Sequence, residues 1–367
     1  MKSIVAAILL LLASVSVKAQ SQKTDLAKTA DSIRTESAIP ELAYVVLSSD
    51  SILEKDILGY HRSDLQNDQT KAKATDYFHL GSNTKAITGF IAAYLVENKK
   101  ISWSTKFFSL FPELKKDANP DFYEITLAGL LSHRARIKPY TSGTEFQSLP
   151  KFNGLQAEQR RQFAAYLVKN DALPKNKEVY NYSNAGYSIA ATMLEKVSGK
   201  TWEQLLKEVL GEKLHLKYKL SWPNRIDTDQ PWGHWIEQDL LAALPPATSY
   251  NLNLIEPAGD ISMPLDDYAK FVQMNLSGLK GKSNFLKSET YNYLHYGLGK
   301  YAIGWLNTPE KQITEHAGSA GTFYCYTLIN KEKNLAYIVI ANSATEKTLK
   351  GIFALLDKMI RSAEAPK

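Results

Sequence analysis

Cysteine is nearly absent from this chain: there is one, Cys325, in 367 residues. A lone thiol cannot close an intrachain disulfide, so the fold must rest on its core. Cys325 sits in the apolar run Phe323 to Ile329, where it reads as a small buried side chain and not as a nucleophile. The seven histidines include no His-x-His or His-x-x-x-His pair, which excludes the usual zinc-enzyme spacing; no metal and no cofactor is expected. No dense Lys/Arg cluster interleaved with aromatics occurs, which argues against nucleic acid as a partner. Internal repeats and low-complexity tracts are also missing. Beyond the N-terminus no apolar run approaches the length needed to span a bilayer.

What is present suits a large globular core: 44% of residues are apolar and 22% charged. Residues 1–19 read as a secretory leader, with Lys2, an apolar stretch from Ile4 to Leu12, and Val17-Lys18-Ala19 before the expected cut. Its removal takes away two lysines and no acid, lowering the formal charge from +6 to +4. The expected location is periplasmic or secreted, with no stable membrane span after cleavage.

Along the chain, residues 24–37 have the pattern of an amphipathic helix. Leu42–Leu47 and Ile52–Tyr60 read as a hairpin, and residues 61–75 as polar loop. Helical patterns follow at 125–131, 158–168, 188–197, 202–210 and 265–276. The stretch from Trp222 to Pro246, rich in prolines and large aromatics, reads as loop. Strand patterns return at Tyr301–Trp305, Phe323–Ile329 and Leu335–Asn342. A last helix is expected to bury Leu349, Ile352, Phe353, Leu356, Met359 and Ile360. With strands at both ends and helices between, the expected class is α/β (α+β): one antiparallel sheet flanked by the N- and C-terminal helices, with an inserted, mostly helical domain. The boundaries expected are a sheet domain of residues 20–75 and 286–367 and a helical domain of residues 76–285.

Gly81-Ser82-Asn83-Thr84-Lys85 carries the chemistry. A glycine turn precedes a helix with Ile87, Phe90, Ile91, Tyr94 and Leu95 on one stripe, and the three-residue spacing lets the Lys85 amine reach the Ser82 hydroxyl. A serine becomes a nucleophile when a neighbouring base takes its proton. Ser-x-x-Lys also occurs at Ser148 and Ser277, but Pro150 and Gly278 interrupt those copies. A bland role for Ser82 would be a helix cap. Two further motifs follow in order: Tyr182-Ser183-Asn184, the only Tyr-x-Asn, and His316-Ala317-Gly318.

With these three motifs in order, the sequence resembles the class C β-lactamase and penicillin-binding serine hydrolase family. Phe78 to Lys85, Ile125 to His133, Glu256 to Ser262 and His316 to Thr322 match its blocks, and the likeness runs over roughly residues 30–360. The resemblance implies the β-lactamase/transpeptidase-like fold and a penicillin-binding type of serine hydrolase working through an acyl-enzyme. It implies Ser82 as nucleophile, and Lys85 or Tyr182 as the base, with Tyr182 drawn towards phenolate by Lys85. Asn184, His316, Gly318 and Ser319 would bind substrate, with the N–H groups of Ser82 and Ser319 forming an oxyanion hole and His316 touching a substrate carboxylate or Tyr182. Expected substrates are D-amino-acid peptides, including peptidoglycan-derived ones, or related amides and esters. The alternatives are a class C-like β-lactamase and a non-catalytic penicillin-recognising module. His316 stands where many members have lysine, and Arg134-Ala135-Arg136 replaces the usual Thr-Ser-Gly after His133; both weaken the antibiotic-hydrolysing reading. His61, His133 and His215 are expected to be structural or exposed, and Arg134 and Arg136 to lie at the surface. Neither Gly-x-Ser-x-Gly, nor Ser-Asp-Asn, nor Lys-Thr-Gly is present, so α/β-hydrolase and class A β-lactamase readings fall away.

Overall fold

The two ends of the chain meet in one sheet. The structure, a computed structural model, describes residues 24–175 and 180–364; the expected leader lies outside them. The strands are β1 (Glu41–Leu47), β2 (Ile52–Gly59), β3 (Tyr77–His79), β4 (Lys219–Leu220), β5 (His234–Glu237), β6 (Leu240–Ala243), β7 (Ile261–Pro264), β8 (Leu306–Thr308), β9 (Ile313–Ser319), β10 (Tyr324–Asn330) and β11 (Leu335–Ala341). The main sheet runs β2-β1-β11-β10-β9-β8, with every pairing antiparallel. β11 and, after its first residue Glu41, β1 carry no charged side chain, and both are buried on both faces, as expected of central strands rich in β-branched and aromatic residues.

Side-chain alternation sends each face of the sheet to its own core. Ala43 and Val45, opposite Ile340 and Ile338, join the large core that also holds Ile87, Phe90 and Ile91. Tyr44 and Val46, opposite Val339 and Tyr337, face the terminal helices Asp25–Glu36 and Glu346–Glu364. The mixed helix and antiparallel-sheet class therefore matches expectation. A small second sheet, β3-β7-β4, delivers the chain to Ser82: β3 ends at His79, two residues before the Gly81 turn.

Several local expectations are corrected. The helix carrying Tyr-x-Asn begins at Asn184, not Ser188, because the Ser183 hydroxyl caps it by accepting the Gly186 N–H at 3.0 Å. The helix at Trp202 is α-helical only to Leu206 and continues as a wider π-type turn over Lys207–Lys213. The stretch from Trp222 to Pro246 holds a helical turn, Pro223–Ile226, and the β5–β6 hairpin. Its turn uses Gln238 and Asp239, both at positive φ (48° and 64°), the primed geometry more often signalled by Asn-Gly. Residues 301–305 form a buried turn closed by Ala302 N–H donating to the Trp305 carbonyl at 2.8 Å, and the strand starts one residue later. On the last helix the buried face includes Thr348, Gly351 and Leu355, while Phe353 is exposed and packs edge-on against Tyr326.

Candidate active site

Ser82 lies in a single 3-10 turn, Gly81–Asn83, that leads into the helix Thr84–Glu97. It makes no capping bond, so the bland reading of Ser82 as a helix cap does not hold. Gly81 has φ of 52°, and a Cβ there would stand 2.4 Å from the Ser319 nitrogen. A Cβ at Gly318 would stand 2.8 Å from the Ser82 nitrogen. These two glycines let the serine turn press against the end of β9 that carries Ser319.

The helix after Ser82 is enclosed on nearly all sides, and Lys85 with it is fully buried while Ser82 is partly open. Lys85 Nζ lies 3.1 Å from Ser82 Oγ, 2.7 Å from Asn184 Oδ1 and 2.8 Å from the Ala258 carbonyl. The Asn184 amide is oriented by its own Nδ2, which donates to the Tyr140 carbonyl at 2.9 Å. Two of the three lysine partners can therefore only accept. A neutral amine satisfies both with its two protons and turns its lone pair on the Ser82 hydroxyl. Burial pushes the Lys85 amine well below its ordinary range, towards that neutral form.

Tyr182 completes the group. Lys85 Nζ stands 4.6 Å from the centre of its ring. Burial drives the Tyr182 phenol up, an effect larger than the opposing influence of the Ser82 hydroxyl. The expected shift towards phenolate is thus reversed: the site desolvates phenolate and ammonium alike, and leaves a phenol beside an amine.

His316 sits in the middle of β9 with both nitrogens engaged. Nδ1 lies 2.7 Å from the Ala317 carbonyl, which can only accept, so Nε2 accepts from the Tyr301 hydroxyl at 2.9 Å. Burial, then the nearby Lys85, lowers its pKa to about 3. The ring is 6.4 Å from that of Tyr182, without a hydrogen bond between them, and its partner is Tyr301 rather than the expected Tyr182. His133 is buried, as expected, but its place is informative: its ring packs 4.3 Å from Tyr182 and 4.5 Å from Tyr301, and Nδ1 accepts the Ser183 N–H at 3.1 Å. His61 is buried and His215 exposed. Arg134 and Arg136 are not free surface residues. Arg134 donates to the Ser132, Gly299 and Tyr301 carbonyls, and Arg136 to the Leu173 carbonyl and Asp121.

Asn184 and Ser319 open onto a cleft of about 450 Å³. Its other walls include Tyr140, Ser142, Phe146, Tyr250 and Asn253, and among the described residues none of its lining carries a charged side chain. Sequence reasoning missed Tyr140, Tyr250 and Tyr301. The Ala258 carbonyl had a signal, because the Pro257-Ala258-Gly259 block was visible.

Comparison with known proteins agrees with this architecture. A family model described as Beta-lactamase matches residues 26–356. Protein flp of Staphylococcus aureus (strain MW2) is 21% identical over 318 residues, covering 84% of this chain and 60% of the relative. The chain thus spans about three fifths of the length of that relative. Unguisins hydrolase ungD of Aspergillus violaceofuscus is 26% identical over 185 residues, covering 49% of this chain and 31% of its own. Among solved structures, the octameric penicillin-binding protein homologue from Pyrococcus abyssi superposes with a TM-score of 0.71 at 20% identity, covering 92% of this chain and 78% of that one. SurE superposes at 0.72 and 17% identity, covering 93% and 75%. At these identities the structural likeness speaks for the fold.

Proposed function

Because the chain belongs to the beta-lactamase family, a serine hydrolase-type superfamily, we propose that it is a serine hydrolase that acylates Ser82, acting on D-amino-acid peptides or related amides and esters. The observation that carries this reading is the Lys85 amine, buried, driven towards neutrality and 3.1 Å from Ser82 Oγ. Lys85 takes the Ser82 proton as Oγ attacks the substrate carbonyl carbon. The carbonyl oxygen gains the negative charge between the Ser82 and Ser319 N–H groups, an effect worth about 100- to 1000-fold in rate. When the tetrahedral adduct collapses, the Tyr182 phenol gives its proton to the leaving nitrogen or oxygen and is reprotonated from Lys85. Water then attacks the acyl-enzyme as Lys85 receives its proton, and Lys85 returns that proton to Ser82 Oγ as the ester bond breaks and the acid product leaves.

His316 and His133 are neutral in this scheme and act by holding Tyr301 and Tyr182 in place. The proposed location is periplasmic or secreted, following the leader expected at residues 1–19. A fluorescent phosphonate tests the reading: it should label the wild-type protein and not Ser82→Ala. A folded wild-type protein that takes no label would refute the enzyme and favour a binding module.

A further inference from the structure

Away from Ser82, three residues far apart in sequence converge at the end of the main sheet. Glu41 opens β1, His61 follows β2, and Asp76 immediately precedes β3. All three are fully buried or nearly so, with exposures of 0%, 1% and 0%. One side-chain donor atom from each lies within 4.8 Å of the other two. The backbone around them is already paired. Glu41 N–H donates to Asn342 Oδ1, His61 N–H to the Thr70 carbonyl, and Trp232 N–H and Asn342 Nδ2 to the His61 carbonyl. What is left over is on the side chains. Asp76 Oδ2 is 2.9 Å from His61 Nε2 and accepts the Lys73 N–H, but Asp76 Oδ1 and both oxygens of Glu41 have no donor among the described residues.

Two carboxyl groups in a dry interior require a neutralising partner. A single proton held between Glu41 and Asp76 satisfies one oxygen on each, and leaves the second oxygen of Glu41 bare. A cation can engage all three bare oxygens and the imidazole nitrogen together. We propose that Glu41, His61 and Asp76 bind a divalent transition-metal ion, Zn²⁺ by preference and Mn²⁺ next, at a structural site. One imidazole with two carboxylates suits an ion that accepts both nitrogen and oxygen. Donor atoms at about 2.0–2.2 Å from a common ion lie at most about 4.4 Å apart, so the observed spread closes with a small side-chain shift. The site would fasten the polar 61–76 loop to β1 six residues before the nucleophile. The spacing of the histidines along the chain could not reveal it, because only one of them takes part.

The test uses the chain with its leader removed, purified without chelator and without a metal-affinity resin. Elemental analysis should find about one equivalent of a divalent transition metal. Dialysis against a chelator should lower the melting temperature by several degrees, and Zn²⁺ or Mn²⁺ should restore it. Glu41→Gln should lose both the retained ion and the metal-dependent rise. A wild-type protein that carries no ion, and whose melting is unmoved by chelator, Zn²⁺ or Mn²⁺, overturns the proposal without recourse to any variant. A Glu41→Gln protein that melts at or above the wild type whatever the metal also overturns it, since glutamine would then be standing in for a protonated Glu41. These readouts do not depend on activity, so the serine hydrolase reading stands or falls separately.

Discussion

Asn184 Oδ1 accepts from Lys85 Nζ at 2.7 Å, and the orientation of the amide is fixed from behind by the Tyr140 carbonyl. An amide oxygen is a neutral acceptor: it aims the amine while stabilising its charged form far less than a carboxylate would. A carboxylate in its place would do both. Asparagine at position 184 therefore leaves burial free to hold Lys85 in the neutral form that the proposed mechanism uses.

Asn184→Asp should uncouple these two effects. The new carboxylate would favour the ammonium form of Lys85 and bring its pKa back up. At neutral pH the rate of phosphonate labelling should fall by about 100- to 10,000-fold, the range lost when a general base is disabled. Raising the pH should recover part of the rate in this variant. Equal rates for Asn184→Asp and wild type across the pH range would remove Lys85 as the base.

The wild-type pH profile carries the same sign. In the proposed mechanism Lys85 acts as a neutral amine, so labelling should decline as pH falls through its depressed pKa and hold level above it. Lys85→Ala should abolish that acid limb along with most of the rate. If instead the limb followed the Tyr182 phenol, which burial pushes upward, the rate would still be climbing in the alkaline range. Second-order labelling constants measured from pH 5 upward distinguish the two.

How much of this was legible depended on the distance over which each contact acts. Ser82 and Lys85 are three residues apart on one helical turn, so their meeting follows from helix geometry. Tyr182 and Asn184 flank Ser183, the cap of the next helix, so one local turn places both. That early and late strands share one antiparallel sheet followed from apolar strand patterns at the two ends of the chain; which of them pair, β1 with β11, did not. The β5–β6 hairpin was illegible because Gln238 and Asp239 adopt positive φ without the glycine that usually marks such a turn. Tyr301 looked like a strand residue because burial and β-propensity give the same composition. The Tyr140 and Ala258 contacts to the site are made by carbonyls, which no side-chain pattern reports.

Arg160 offers a stability experiment that reaches the site indirectly. It is fully buried, 2.7 Å from Glu195, 2.9 Å from Glu203 and 3.3 Å from Glu256. Glu256 begins the turn whose Ala258 carbonyl receives Lys85. Replacing Arg160 by methionine leaves these acids without their cation, a change that typically costs about 3–5 kcal/mol. Burial raises Glu256 to about 7 even with Arg160 beside it. The folded state therefore holds that proton after the unfolded chain has released it, and this group's contribution to stability falls as pH rises from the ordinary carboxyl range to about 7. Glu256→Gln should flatten that fall. Urea midpoints at pH 5, 6, 7 and 8 for the wild type and both variants check each point.

The walls of the cleft bear on what the enzyme should prefer. Hydroxyls, amides and aromatic rings line it, and three cations of the surrounding elements are committed elsewhere. Arg225 donates to the Tyr250 and Thr248 carbonyls, Arg134 to those of Gly299 and Tyr301, and Lys85 is buried behind Ser82. His316, held neutral, adds no charge. A substrate with an ionised carboxylate beside its scissile bond would have to desolvate that charge without an ion pair in return. Matched pairs isolate the effect: an acyl-D-Ala-D-Ala peptide against its C-terminal amide, with nitrocefin and a short p-nitrophenyl ester alongside. The amide and the ester should be turned over with the higher kcat/KM, by about tenfold or more if the lost interaction is worth about 1.4 kcal/mol. Dominant turnover of nitrocefin or of the free acid would mean that a cation reaches the cleft during catalysis, and would move the substrate class towards β-lactams and carboxyl-terminal peptides.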